Sequence, residues 1–224
     1  MMDRAQLPLE LERLAIFPLP AGQLFPSTLL PLHVFEPRYR ALARDALAGN
    51  RLIAVPMLAP GYEEDYGGRP AVRPICGVGQ IVQSHLHQDG RYDILLRGVG
   101  RVRIVEELPP SEPYRLVRAE RVDEAPPSAQ AGMTGLVTLL TLCDRLAAVL
   151  PSGGETLREL ARQERDPGAA SDVVASALFT EPGDRQRILE TLDVEERIER
   201  VSEALVTLLA TFTQARRPGS DRPN

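Results

Sequence analysis

Near residue 123 the spacing of apolar residues changes, and no other feature of this chain limits its fold so strongly. Before that point short runs dominate, several with apolar residues at every second position. Beyond residue 133 they recur at every third and fourth. The first period belongs to strands with one buried face and the second to helices. Between the two lies DEAPPSAQAG at 123–132, a Pro/Ala/Ser-rich linker. Segregated strands and helices predict an α+β chain rather than an alternating α/β one.

The strand-like runs are short. Residues 14–17 (LAIF) are stopped by Pro18 and Pro20, and 51–58 (RLIAVPML) form a second run. Residues 77–86 form a third, whose glycines predict a bulge or a close backbone approach. Residues 91–97 alternate with Tyr92, Ile94 and Leu96 on one face. Residues 101–106 set Val102 and Ile104 opposite Arg101 and Arg103, and 114–122 complete the set. Asp89-Gly90 predicts a two-residue hairpin turn. Gly98-Val99-Gly100 predicts a tight corner between two strands. Short strands punctuated by Pro and Gly suggest a small barrel or sandwich. One long Gly/Pro loop, 59–74, stands apart.

One helix is expected inside this half. Pro37 suits its first turn, Tyr39, Leu42, Ala43, Ala46 and Leu47 follow helical spacing, and Gly49 suits its end. The second half predicts helices through Leu136–Leu150, around Leu157–Ala161, over 172–179 and over 185–192, with a break at 151–154. Asp193 then reads as an N-cap, with Glu196 three residues on. The last helix carries Val194, Ile198, Val201, Leu205, Leu208 and Phe212 on one face, which packs on neighbouring helices and allows a dimer without demanding one. The tail 216–224 is expected to be disordered.

Composition excludes several chemistries. The chain has 224 residues and 26 basic ones, none of which is lysine. Without lysine there is no P-loop lysine, no Schiff base and no Ser-Lys dyad. A net charge of −5 argues against general nucleic-acid binding. Cys76 and Cys143 match neither a disulfide framework nor a metal-ligand spacing and suit a reducing cytoplasm. The N-terminus does not read as a secretory signal, and no uninterrupted apolar run approaches a membrane span.

Few side chains suggest catalysis or ligation. His85-x-His87 offers half of a metal site, but no third ligand stands at a convincing spacing, so no metal is expected. His33 lies among apolar residues and reads as partly buried. Ser27, Ser84 and Cys76 lack the context of a nucleophile, and the glycines at 98 and 100 are not a dinucleotide fingerprint. Arg91, Arg97, Arg101 and Arg103 make a basic cluster. Asp93, Glu106, Glu107 and Glu112 are interleaved with it, which reads as a paired, solvated face.

The string Phe17-Pro18-Leu19-Pro20, Leu24-Phe25-Pro26 and Leu30-Pro-Leu-His-Val-Phe-Glu-Pro-Arg-Tyr-Arg40 closely resembles the opening of the Lon N-terminal substrate-binding domain family. Gly61–Tyr66 resembles a loop of its free-standing members. Gly77–Ile81 and Tyr92–Arg101 resemble its barrel strands, and Leu192–Ile198 its helical end. The resemblance implies a PUA-like β-barrel with one inserted helix over 10–122, a linker at 123–132 and an α-helical subdomain over 133–215.

It further implies a bacterial, cytoplasmic, non-catalytic module without cofactor or membrane association. Such a module binds unfolded or partly folded polypeptides, in a groove between barrel and helices or by strand addition, for a separate protease or chaperone. The ATPase and protease modules of full-length Lon would begin where this chain ends, so the chain alone is not expected to be an ATP-dependent protease. Candidate peptide contacts are Phe35, Glu36, Arg38, Tyr39, Tyr62 and Tyr66. Glu36, Arg38 and Tyr39 also admit a purely structural reading as helix start, ion pair and core. The alternative function is RNA binding through Arg91, Arg97, Arg101 and Arg103, because PUA-like folds include RNA binders. A small-molecule ligand in the groove remains a third option.

Overall fold

The computed structural model describes residues 7–65 and 67–215, so Tyr66 and the tail expected at 216–224 lie outside the described residues. The chain forms two compact units. Of the described residues, one contains those up to 123 together with 180–190, and the other contains 124–179 and 191–215.

The first unit is built on six strands, β1 (Glu10–Ile16), β2 (Leu29–Val34), β3 (Leu52–Val55), β4 (Ile75–Leu86), β5 (Tyr92–Glu107) and β6 (Arg115–Val122), with helix α1 (Pro37–Ala48) between β2 and β3. The pairings run β5–β4–β3–β1–β6 and return to β5, which closes a five-stranded barrel. Among these described strands only β1 and β3 pair in parallel. Leu14, Ile16, Leu52, Ala54, Cys76, Val78, Val102 and Val117 fill one core. Ile53, Val55, Ile81, Ile94 and Leu96 face the other way, against Tyr39, Leu42 and Ala43 of α1. Strand β3 is therefore buried on both faces, which is why LIAV shows no polar alternation.

Three local expectations are corrected. Residues 91–97 and 101–106 are not two strands around a corner. They belong to one sixteen-residue strand, and Gly98 and Gly100 lie within it. Gly98 is needed because the segment before β2 crosses the sheet there: a Cβ would stand 2.0 Å from the Phe25 carbonyl oxygen. Gly77 meets the Leu24 carbonyl in the same way, at 1.8 Å, as the expected close approach requires. The hairpin at Asp89-Gly90 is a three-residue loop. The His87 N–H donates to the Arg91 carbonyl, and only Gly90 takes positive φ. Strand β2 was not anticipated, since Pro31 removes a backbone donor. Proline is tolerated in β2 because it is an edge strand.

The second unit holds α2 (Ala129–Val149), α3 (Gly154–Gln163), α4 (Pro167–Leu178) and α6 (Val194–Ala215). Helix α2 begins inside the stretch read as linker, where the Ser128 hydroxyl accepts the Ala131 N–H. Helix α4 starts earlier than its apolar pattern implied, with Asp166 as N-cap and Pro167 in the first turn. Asp193 caps α6 by accepting the Glu196 N–H at 3.1 Å. By length and composition alone α2 is apolar enough to cross a membrane. Its Leu139, Cys143 and Leu146 are buried within this unit, where α2 packs on α3, α4 and α6.

Helix α5 (Pro182–Glu190) groups with the barrel although its sequence neighbours are helices of the second unit. Polar contacts hold it. Gln186 donates to the Ile75 carbonyl at 2.8 Å, Arg185 donates to Gln23, and the Arg101 Nε donates to the Leu189 carbonyl at 2.8 Å. A cation at the C-terminal turn of a helix also meets the negative end of its dipole.

Candidate functional site

Beyond the barrel the sheet continues as a three-stranded flap of β2, the first half of β5 and the second half of β4. The register pairs Val34 with Tyr92, and Tyr92 with Leu86, on the side of α1. One residue on, it pairs His33 with Asp93, and Asp93 with His85, on the other side. That second side is open. Leu29, Pro31, His33 and Phe35 from β2 and its end, Asp93 and Leu95 from β5, and His85 and His87 from β4 and its end all belong to it by alternation. Leu29 is 53% exposed and Phe35 62%. Among the described strands, β2 pairs only with β5, so its outer edge is free.

The polar part of this face is organised. The Asp93 carboxylate accepts from His33 Nδ1 at 2.6 Å and from His87 Nε2 at 2.7 Å. These two hydrogen bonds, the His33 one first, hold the Asp93 carboxyl below the usual carboxylate range. Arg91 donates to His33 Nε2 at 3.1 Å while its Nε grips Asp89 at 2.6 Å. The Phe35 ring lies against His33, and His85 stands edge-on to His87. His33 is thus an exposed strand residue, not a partly buried one. Sequence spacing missed this group because His33 is some fifty residues from the other histidines. Recognising β2 as a strand opposite β5 was the missing signal.

On the α1 side, Pro37, Arg40, Ala41, Arg44, Leu86 and Tyr92 line a groove of about 370 Å³. It is apolar along one wall and carries two guanidinium groups on the other.

The Glu36-Pro37-Arg38-Tyr39 motif mostly serves the fold. Arg38 Nε donates to Glu36 at 2.9 Å, and its guanidinium lies over the Tyr39 ring at 4.7 Å. Tyr39 is buried and stacks on Phe17 at 4.2 Å, so its ring is not open to a ligand. The crevice beside Arg38 and Tyr39 measures about 10 Å³, room for a single water. Phe35, just before the motif, faces solvent, as does Pro37. Tyr62 is half-buried on a separate 3-10 turn, Tyr62–Asp65.

The four arginines do not form one face. Between Val78–Gly100 and Gly79–Gly98 the register leaves Val99 as an extra residue in β5. A single extra residue reverses the faces of everything beyond it. Arg97 therefore falls on one side, and Arg101 and Arg103 on the other. Arg101 is 1% exposed and bound to α5, beyond the reach of a phosphate on the surface. The acids expected to pair with this cluster pair elsewhere: Glu106 with Arg118 at 3.0 Å, and Glu107 with Arg115 at 2.7 Å and with Arg69.

Comparison with known proteins matches this architecture. A family model described as the ATP-dependent protease La (LON) substrate-binding domain covers residues 13–207. The chain is 31% identical over 191 residues to the Lon protease of Dictyoglomus thermophilum, covering 85% of this chain and 24% of that protein. It is 28% identical over 193 residues to Lon protease 2 of Myxococcus xanthus, covering 86% and 23%. The chain thus spans about a quarter of the length of these curated relatives. Among solved structures, the N-terminal domain of a Mycobacterium avium complex Lon protease superposes with a TM-score of 0.69 at 16% identity, over 87% of this chain and 98% of that one. A Lon N-terminal domain protein from Xanthomonas campestris gives 0.60 at 20% identity, over 85% and 97%. With residues 13–207 matched by one family model, and with a fold shared with solved Lon N-terminal domains, this chain belongs to the Lon substrate-binding domain family.

Proposed function

We propose that this chain is a non-catalytic recognition module that holds an extended, apolar polypeptide segment along the free edge of β2. The observation that carries the reading is that edge, with Leu29 exposed at its start and Phe35 just past its end. An unpaired strand edge supplies a ladder of backbone donors and acceptors, and alternate side chains of the guest meet whatever flanks it. Pro31 removes one donor from the strand, which guards against indiscriminate pairing between copies. The family's description as a substrate-binding domain supports the same role. These 224 residues contain no lysine and so hold neither a P-loop lysine nor a Ser-Lys dyad, and degradation of the client would fall to a protease or chaperone module outside them. A cytoplasmic setting fits two free, buried cysteines.

The test is fluorescence anisotropy with a labelled, carboxymethylated and permanently unfolded polypeptide, at low and at high salt. Saturable binding that survives high salt is expected. The double substitution Leu29→Ser and Phe35→Ser should weaken it by about tenfold, the loss of roughly 1.4 kcal/mol. No binding, or binding indifferent to the double substitution, overturns the site. Binding of a labelled RNA that fades steeply with salt would move the function to the arginines instead.

A further inference from the structure

We propose that His33, His87 and Asp93 form a binding site for a divalent transition-metal ion of the zinc, nickel or copper type. The inference does not depend on the polypeptide reading. Every histidine in the chain stands on one side of one sheet flap. One nitrogen of His33, one of His87 and a carboxylate oxygen of Asp93 lie within 4.8 Å of one another, each on a different strand or strand end. Two imidazoles and one carboxylate are the donor set such ions prefer, whereas magnesium and calcium favour all-oxygen sites.

The group is already drawn together. Asp93 sits between His33 Nδ1 and His87 Nε2, at 2.6 and 2.7 Å, so the nitrogens that now donate to it point at the space between them. Binding would exchange those two N–H donors for bare nitrogens by a tautomer shift, moving the proton to His33 Nε2 and His87 Nδ1. No net proton loss is needed from neutral rings. The His33 shift removes the acceptor that Arg91 now uses at 3.1 Å, so Arg91 must turn away. Its side chain is 45% exposed and already paired with Asp89, so it can turn away without losing that partner. Three protein ligands leave a fourth tetrahedral position free for water or a guest group. His85, edge-on to His87 at 4.7 Å between centroids and paired in register with Asp93, is the nearest protein candidate for it.

Isothermal titration of the untagged full chain with zinc chloride, and cobalt(II) absorption as a geometric readout, test the site. One ion per chain and a cobalt spectrum of tetrahedral intensity are expected. His33→Ala, His87→Gln and Asp93→Asn should each weaken zinc by at least about tenfold, since even outer-shell changes cost that much at built sites. Arg91→Gln should tighten binding a few-fold, because it removes a neighbouring cation and a competing donor. These residues are on the surface, and unchanged thermal unfolding of each variant would show that folding is not the cause. Absence of zinc uptake, or uptake unaltered by His33→Ala and His87→Gln, overturns the proposal.

Discussion

Among the described residues each unit buries one arginine completely, and the two treat it differently. In the barrel unit, Arg101 donates to the Leu189 carbonyl at the end of α5. In the helical unit, Arg197 on α6 meets Glu124 at 2.8 Å and Asp172 at 3.2 Å. It also donates to the Ser171 hydroxyl and to the carbonyl of Thr191. The barrel unit already has a closed ladder of strands and two apolar layers, and its arginine fastens a helix to them. The helical unit packs smaller residues, among them Ala161, Ala170 and Ala175, and sets an ion cluster where α4, α6 and the entry to α2 converge. One unit is stabilised by many distributed contacts. The other is expected to depend strongly on one side chain, Arg197.

The sharpest way to break that contrast is Arg197→Leu. It leaves two buried carboxylates without their cation, and removing one member of such a cluster costs about 3–5 kcal/mol. Each unit holds one buried cysteine, Cys76 in the barrel and Cys143 in the helices, and burial pushes both thiols up to about 12. Neither thiol reacts readily at neutral pH until its surroundings open. A thiol reagent with peptide mapping should therefore find Cys143 labelled much faster in Arg197→Leu while Cys76 stays protected. Adding Asp172→Leu and Glu124→Leu should restore part of the lost stability, as apolar replacement of whole buried clusters often does. Equal labelling of both cysteines would show that the units do not open separately.

Gly98→Ala tests the barrel unit in return. The new methyl would stand 2.0 Å from the Phe25 carbonyl oxygen, so the segment before β2 must shift off the sheet. Overpacking of this kind costs about 1–3 kcal/mol. Chemical denaturation should show that loss, with Cys76 rather than Cys143 gaining reactivity. A variant as stable as the parent would mean that the crossing segment is looser than its hydrogen bonds between Ser27, Thr28 and Gly98 suggest.

These residues also show what a sequence of this kind displays and what it hides. The change of period near residue 123 separates strands from helices, and the Leu-Phe-Pro and Glu-Pro-Arg-Tyr strings point to the family. Both are local patterns. The site depends on pairings between distant residues. Pro31 disguised β2 as a loop, which hid the row of His33, Asp93 and His85. Val99 is one residue too many in β5, so arginines of equal parity in sequence end on opposite faces. Helix α5 has an ordinary helical pattern, and no pattern within it tells that it packs on the barrel rather than on its neighbours in sequence. Tyr39 looked like a ligand contact because an aromatic beside Glu and Arg fits either role, and only its stacking on Phe17 decides between them.

The smallest effect belongs to the flap. Leu29 and Phe35 are mostly exposed apolar residues, outside both core clusters. Replacing either by serine removes little buried surface, so stability should change by no more than about 0.5 kcal/mol. Their exposure then contributes nothing to folding, and the binding measurement alone decides whether they serve a partner. Thermal unfolding of Leu29→Ser and Phe35→Ser, measured beside Arg197→Leu and Gly98→Ala, separates the two kinds of residue. If the serine variants lose as much stability as the glycine variant, Leu29 and Phe35 belong to the barrel's packing and the flap is no docking surface. If they unfold with the parent while polypeptide binding falls, the flap is held in place by the barrel and shaped for a partner.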